Sequence, residues 1–237
     1  MRKLFSLFVV FLSLPVFCQT STAAKPAPKP AAKSATRPAA PAGPPTAIID
    51  TTAGKMTCTL FPDKAPIGVA NFAGLSRGTK DWRNPANGKK MHGVPLYNGT
   101  IFHRVIPEFM IQGGDPMGTG MGDPGYKFKN ETSPDLLFDR PGRLAYANAG
   151  PDTNGSQFFI TEVPYPSLNG GYTIFGQCDD PSVEIVKKIA RLPRNANDRP
   201  DDPPKINKIT ILHYAGSRAP VHHPGPKPAA PKTTKQH

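Results

Sequence analysis

The stretch from residue 102 to residue 115, FHRVIPEFMIQGGD, restricts what this chain can form more than any other segment. Residues at i, i+2 and i+4 of a β-strand project from the same face. The stretch therefore predicts a wall on which Arg104, Met110 and Gln112 stand beside Phe109. Such a wall is apolar below and hydrogen-bonding above, which suits a small apolar ring flanked by peptide groups. It offers neither a nucleophile nor a set of metal ligands.

Short β-rich runs separated by glycine turns recur along the chain. Two of them, 47–51 and 55–61, predict a hairpin, and further runs follow near 102–113, 143–147, 157–161, 172–177 and 205–214. Only 66–77 and 182–191 carry apolar residues at helical spacing. Many short strands with two helices predict an antiparallel β-barrel. The polar segment 78–99 reads as a surface insertion that Trp82 pins to the barrel.

Both ends of the chain are basic and rich in proline. Residues 1–46 carry six Lys and Arg and no acid, and residues 216–237 carry four and no acid, so most of the net charge of +12 lies outside a nearly neutral middle. Neither arm has apolar periodicity, so neither can offset the entropy of ordering by burial. We expect a disordered linker at 23–46 and a disordered tail at 216–237. Without interleaved aromatics, the arms predict loose contact with an anionic envelope surface rather than nucleic-acid binding.

The N-terminus has the pattern of a secretory signal peptide. Arg2 and Lys3 precede an apolar run from 4 to 17 that is too short to cross a bilayer comfortably. We predict a signal peptide at 1–22 and an exported protein, periplasmic or secreted. The alternatives are a lipoprotein acylated on Cys18 and an uncleaved anchor.

Cys58 and Cys178 remain in the predicted mature chain. Both fall in predicted core strands, so we expect two buried thiols, with a disulfide as the alternative in an exported protein. No Cys/His cluster has metal-ligand spacing, and we expect neither a metal nor a cofactor.

Three blocks resemble the cyclophilin-type peptidyl-prolyl cis/trans isomerases. They are FHRVIPEFMIQGGDP from residue 102, AYANAGPDTNGSQFFIT from residue 145 and LNGGYTIFG from residue 168, in the family's order. The similarity covers about 47–215, which we predict to be the isomerase domain. It implies a fold dominated by β-structure: a closed eight-stranded antiparallel barrel capped by two α-helices. It also implies that the substrates are proline-containing polypeptides. We expect the protein to be a monomer.

The resemblance also implies a site. Rotation about the X-Pro bond is opposed by amide resonance of about 18–20 kcal/mol, and a guanidinium that stays protonated can stabilise the lone pair regained by the prolyl nitrogen in the twisted state. Arg104 is the candidate, with Gln112 and Asn148 bonding the substrate backbone. By strand alternation His103 is expected on the opposite face of the strand, and we expect its role to be structural. The proline ring and the peptide backbone are expected to contact Phe109, Met110, Ala147, Phe159, Leu168 and Tyr172.

Two positions depart from the best-known eukaryotic members of the family. Ser167 stands where many carry Trp, and Tyr172 stands where many carry His. Losing the indole removes an apolar surface and a hydrogen-bond donor, so we predict weak binding of cyclosporin-type inhibitors with isomerisation retained.

The predicted function is acceleration of the folding of exported proteins. The alternative is a proline-recognising chaperone or scaffold with incidental turnover. For Asn148 there is also an alternative to bonding the substrate backbone, in which its side chain caps its own turn.

Overall fold

A computed structural model describes residues 43–216. The predicted signal peptide with Cys18, most of the predicted linker and nearly all of the predicted tail lie outside these residues. The helices are α1 (Pro66–Arg77) and α2 (Asp180–Ala190). The strands are β1 (Thr46–Thr51), β2 (Gly54–Leu60), β3 (Trp82–Arg83), β4 (Lys90–Met91), β5 (Arg104–Ile106), β6 (Met110–Gly113), β7 (Arg143–Tyr146), β8 (Phe158–Thr161), β9 (Ile174–Cys178) and β10 (Ile206–Leu212).

Eight strands form one antiparallel sheet in the order β10-β1-β2-β9-β7-β8-β6-β5. The prediction of eight antiparallel strands with two helices is confirmed. The predicted closure is not: the sheet is strongly curled but open. Within residues 43–216, the edge strands β5 and β10 form no ladder, and their flanks meet through one isolated bridge between Ile101 and Lys205. The physical reason lies at the outer edge of β5, where the Val105 N–H donates to the carbonyl of Asp198 at 2.8 Å, so the connection between α2 and β10 occupies that edge instead of β10.

Local signals explain both helices. Pro66 opens α1, and Gly78 ends it in the left-handed conformation with φ 73°, where its N–H bonds the carbonyl of Gly74. Helix α2 begins two residues before the predicted position, because Asp179 caps it by accepting a hydrogen bond from the Ser182 N–H at 3.0 Å. No helix among residues 43–216 has the length and apolar character needed to cross a membrane.

The interior holds two apolar clusters. The larger fills the space between the sheet and the helices and contains the packed rings of Phe72, Tyr97, Phe158 and Phe175. The smaller cluster includes Met110, Phe138, Ala145, Phe159 and Ile174. It lies where β6, β7, β8 and β9 meet, and it forms the floor of the cavity described below.

The expectation of two unpaired thiols is wrong. Cys58 on β2 and Cys178 on β9 are direct partners in the antiparallel ladder, with Cα atoms 3.8 Å apart, and they form a disulfide. Both residues are buried, as expected, but strand register brings the two sulfurs together, and register cannot be read from spacing along the chain.

The insertion at 78–99 carries the two-stranded ribbon of β3 and β4. Trp82 is 7% exposed and belongs to the larger apolar cluster, while its indole N–H donates to the carbonyl of Val94 within the same insertion at 2.9 Å. The prediction that Trp82 anchors this segment is confirmed.

Candidate active site

One cavity of about 430 Å³ opens beside the end of the sheet formed by β5, β6 and β8. All nine residues that the sequence singled out line it. They are Arg104, Phe109, Met110, Gln112, Ala147, Asn148, Phe159, Leu168 and Tyr172. The structure therefore brings together side chains from three separate sequence blocks. Within residues 43–216 no group of side chains is arranged to hold a metal ion.

Strand register aligns the polar and apolar parts of the cavity. Arg104 lies directly opposite Gln112 in the β5–β6 ladder, and Gln112 lies opposite Phe159 in the β6–β8 ladder. Directly paired residues stand side by side on one face of a sheet. A cation, an amide and an aromatic ring therefore form one row across three strands. The Arg104 side chain is 44% exposed, and its Nε lies 3.7 Å from a carboxylate oxygen of Asp198.

The floor of the cavity is a set of aromatic rings in contact. Phe159 is 5% exposed and packs edge-to-face on Tyr172, with ring centroids 5.5 Å apart. Phe138 stacks beneath Phe159 at 5.8 Å, and Phe109 packs on Tyr165 at 4.4 Å. These contacts hold the rings in place, and Phe109, Phe159 and Tyr172 all line the cavity. The cavity can therefore take up an apolar ring.

The amide of Gln112 has a defined orientation. Its Nε2 donates to Oε1 of Gln157 at 2.9 Å, and Nε2 of Gln157 donates to the carbonyls of Gly120 at 3.0 Å and Gly122 at 2.9 Å. Asn148 is held differently, because Nδ2 donates to Gly171 O and Oδ1 accepts the Gly150 N–H. The latter contact is the turn cap that was the alternative interpretation of Asn148.

His103 also lines the cavity, so its expected place on the opposite face is wrong. It lies just before β5, outside the regular alternation, and Gly120 packs against its ring. The side chain is 6% exposed, and burial lowers the pKa of its imidazole. The Arg199 and Arg104 guanidinium groups lower it further, against the opposing effect of Asp115. The ring is therefore neutral at pH 7.

Part of the cavity was missed by sequence reasoning. It comes from the loop after β6 and from the connection between α2 and β10, and consists of Thr119, Gly120, Asn195, Asn197 and Arg199. Asp115 shapes the loop by accepting four backbone N–H groups, and these outweigh the effect of burial and lower the pKa of its carboxyl. The only sequence signal for these residues is that the connection is long, polar and rich in Asn and Arg. The spacing of its residues does not indicate that it packs beside the cavity.

Comparison with known proteins identifies the family. A family model described as cyclophilin type peptidyl-prolyl cis-trans isomerase/CLD matches residues 46–211. Peptidyl-prolyl cis-trans isomerase A of Mycobacterium tuberculosis is 52% identical over 167 residues, which cover 70% of this chain and 91% of that protein. Peptidyl-prolyl cis-trans isomerase B of Streptomyces anulatus is 47% identical over 167 residues, with coverage of 70% and 95%.

Solved structures agree with this assignment. A cyclophilin type peptidyl-prolyl cis-trans isomerase of Cryptosporidium parvum superposes with a TM-score of 0.60 at 38% identity, covering 70% of this chain and 96% of that one. The same enzyme was also crystallised in the presence of the dipeptide Ala-Pro, and that structure has the same TM-score and identity. Family, relatives and fold all coincide with the cavity-bearing domain, and the chain therefore belongs to the cyclophilin-type peptidyl-prolyl cis-trans isomerases.

Proposed function

We propose that Arg104 is the catalytic cation and that the aromatic floor holds the proline ring of the substrate. The observation that carries this proposal is the row of Arg104, Gln112 and Phe159 across three paired strands. Isomerisation breaks no σ bond, so the catalyst has to favour the twisted amide over both planar forms. A fixed guanidinium beside an apolar floor does so by donating hydrogen bonds to the prolyl nitrogen when its lone pair is localised.

The remaining residues divide into an apolar cup and a polar rim. Phe109, Met110, Phe159, Leu168 and Tyr172 form the cup, and their burial or close packing supports a rigid shape. Gln112 and the main chain at Ala147 orient the peptide on the rim. For Asn148 we propose the smaller role of holding that rim, since both ends of its amide are bonded within the protein.

The test is turnover of a proline tetrapeptide by Arg104→Ala and Arg104→Lys. Loss of a preorganised donor typically lowers the rate about 10²–10³-fold, and we expect kcat/KM to fall by that order in Arg104→Ala. The affinity for a non-isomerising proline peptide should weaken far less. Arg83→Ala, on the outer ribbon, is the matched control and should retain full turnover. Equal losses of turnover and affinity would instead favour the proline-recognising scaffold.

We further propose that the substrates are exported polypeptides. The disulfide between Cys58 and Cys178 supports an oxidising compartment, because cytosolic proteins are normally kept reduced. The N-terminal pattern of Arg2 and Lys3 followed by an apolar run also supports export of the protein. Alkylation of free thiols in intact cells, followed by electrophoresis of cell fractions, tests this. An oxidised protein outside the cytosol is expected, and a fully reduced cytosolic protein would contradict the proposal.

A further inference from the structure

The cavity contains a second guanidinium, that of Arg199. It lies on the connection between α2 and β10 and lines the same cavity as Arg104. Its Nη1 donates to the carbonyl of Gly118, on the loop that Asp115 organises. That bond ties the Arg199 side chain to the loop and uses one of the donors of its planar fork, and the residue lines the cavity.

No carboxylate of residues 43–216 lies within ion-pair distance of Arg199. Asp198, its neighbour, contacts Arg104 at 3.7 Å and Arg194 at 3.4 Å instead. Asp115 is fully buried, and its oxygens accept backbone N–H groups of its own loop. In the described part of the chain, no Asp or Glu lines the cavity itself. Among the described residues, the cavity lining therefore carries the guanidinium groups of Arg104 and Arg199, and of these two only Arg104 has a carboxylate partner, that of Asp198.

We propose that Arg199 selects substrates in which a residue flanking the proline carries a carboxylate, such as Glu or Asp. A guanidinium matches a carboxylate through two parallel N–H···O bonds, which a neutral amide cannot reproduce with the same strength. A peptide that covers the cavity excludes water and strengthens this attraction. The inference rests on the proposed function, since it places the substrate peptide in this cavity. It adds a preference that the row of Arg104, Gln112 and Phe159 does not supply.

The experiment compares tetrapeptides that differ only by Glu or Gln at the residue before or after the proline. For each pair, the ratio of kcat/KM for the Glu peptide to that for the Gln peptide is measured at low and high salt. We expect a ratio of about five at one or both flanks, because a partly screened charge-assisted contact contributes about 1 kcal/mol. In 1 M salt the Debye length shrinks to about 3 Å, and the ratio should fall towards one.

Three variants separate charge from structure. Arg199→Gln should bring the ratio close to one, and Arg199→Lys should keep part of it. Arg83→Gln is the matched control, since Nη1 of Arg83 also donates to a glycine carbonyl, that of Gly88 at 2.7 Å, but lies outside the cavity. It should leave the ratio unchanged. Because the readout is a ratio within one variant, a general loss of folded protein does not affect it.

A wild-type ratio near one at both flanks would overturn the proposal. A ratio that survives Arg199→Gln would overturn it as well, by moving the preference to another residue. Equilibrium binding of the same peptides is measured in parallel. A wild-type protein that binds them with an Arg199-dependent preference but turns over neither peptide would contradict the proposed catalytic function while supporting this inference.

Discussion

Gln112 and Gln157 are joined side chain to side chain, with Nε2 of Gln112 donating to Oε1 of Gln157 over 2.9 Å. Gln157 uses its own Nε2 on two carbonyls of the loop after β6, those of Gly120 and Gly122. One amide therefore orients another and holds the adjoining loop in place. Gln157 lies behind Gln112, so its effect on catalysis would be exerted through the orientation of that residue.

Gln157→Ala tests this arrangement. The variant loses three hydrogen bonds, each with a net contribution of about 1 kcal/mol, and leaves the Gln112 amide free to rotate. We expect kcat/KM to fall about tenfold, mainly through KM. The matched control is Gln177→Ala, because Nε2 of Gln177 also donates to two carbonyls, those of Pro141 at 2.8 Å and Cys178 at 2.9 Å, outside the cavity. It should lower stability without changing KM, and equal KM values in both variants would contradict the prediction.

Glu162 holds Phe109 in place from two sides. Its carboxylate accepts the N–H of Glu108, which has φ 58°, at 2.8 Å, and its own N–H donates to the carbonyl of Phe109 at 2.9 Å. The Glu162 side chain is 1% exposed and is paired with Arg191, whose side chain is 50% exposed. We expect Glu162→Ala to destabilise the fold by about 2 kcal/mol, below the range for fully buried pairs because Arg191 reaches water.

The same variant should raise KM several-fold, because Phe109 lines the cavity. Urea unfolding and steady-state turnover measure the two effects. Glu184→Ala is the control, since Glu184 pairs with Lys187 on the exposed surface, where removal of an ion pair changes stability by less than about 1 kcal/mol. An unchanged KM in Glu162→Ala would show that the turn at Glu108 keeps its shape without the carboxylate.

Removal of the disulfide should lower stability. The two cysteines are 120 residues apart, so the bond closes a long loop in the unfolded chain. Such a bond typically contributes about 2–4 kcal/mol, and we expect Cys58→Ala/Cys178→Ala to lose that much in urea unfolding. Turnover at 25 °C should stay close to wild type, since neither cysteine lines the cavity. Treatment of the wild type with a reductant should reproduce the loss, and equal stability with and without reductant would contradict the prediction.

The buried His103 predicts a pH dependence of stability. Burial lowers the pKa of its imidazole in the folded state, so below the unfolded pKa of about 6.5 the unfolded chain binds the proton more readily. Stability from the neutral ring is therefore fully present above pH 6.5 and is lost as the pH falls towards the folded pKa. The slope from this one group approaches about 1.4 kcal/mol per pH unit. Unfolding free energies between pH 7.5 and 5.5 should fall less steeply in His103→Gln, and parallel slopes would contradict the prediction.

Inhibitor binding depends on Ser167. It is exposed at the position where well-known eukaryotic relatives carry Trp, next to Leu168 of the cavity wall. We expect weak binding of cyclosporin-type inhibitors to the wild type. Ser167→Trp should tighten it about tenfold or more, because a buried indole contributes roughly 1.5–3 kcal/mol. Isothermal titration measures this. Ser133→Trp, outside the cavity lining, is the control, and an unchanged affinity in Ser167→Trp would show that other residues limit binding.

Most of the secondary structure could be predicted from local sequence signals. Pro66 and Gly78 mark both ends of α1 in the sequence, because proline suits a first helical turn and glycine suits the left-handed residue that ends it. Apolar spacing alone places the start of α2 two residues late, because the helix begins at the cap formed by Asp179. Alternation failed at His103 for a different reason. The residue precedes β5, and a loop from farther along the chain covers it.

The residue types of the site could be predicted from the sequence, but their arrangement in space could be predicted only in part. Arg104, Phe109, Met110 and Gln112 lie within nine positions of one another, so the chemistry of one wall was visible directly in the sequence. Phe159 and Tyr172 were assigned to the same cavity through the resemblance to a family. No local pattern marks Arg199, because it reaches the cavity on a long connection between α2 and β10 and contacts Gly118, 81 residues away in the sequence.

Periodicity, turn residues and the cluster around Arg104 determined the class of fold and the kind of chemistry, because these depend on neighbours along the chain. Tertiary structure alone decided that Cys58 meets Cys178, that the sheet stays open between β5 and β10, and that Arg199 faces the cavity. Each of these is a relation between segments distant in sequence. It exists only once strand register and loop paths are set by packing, and no local pattern encodes it.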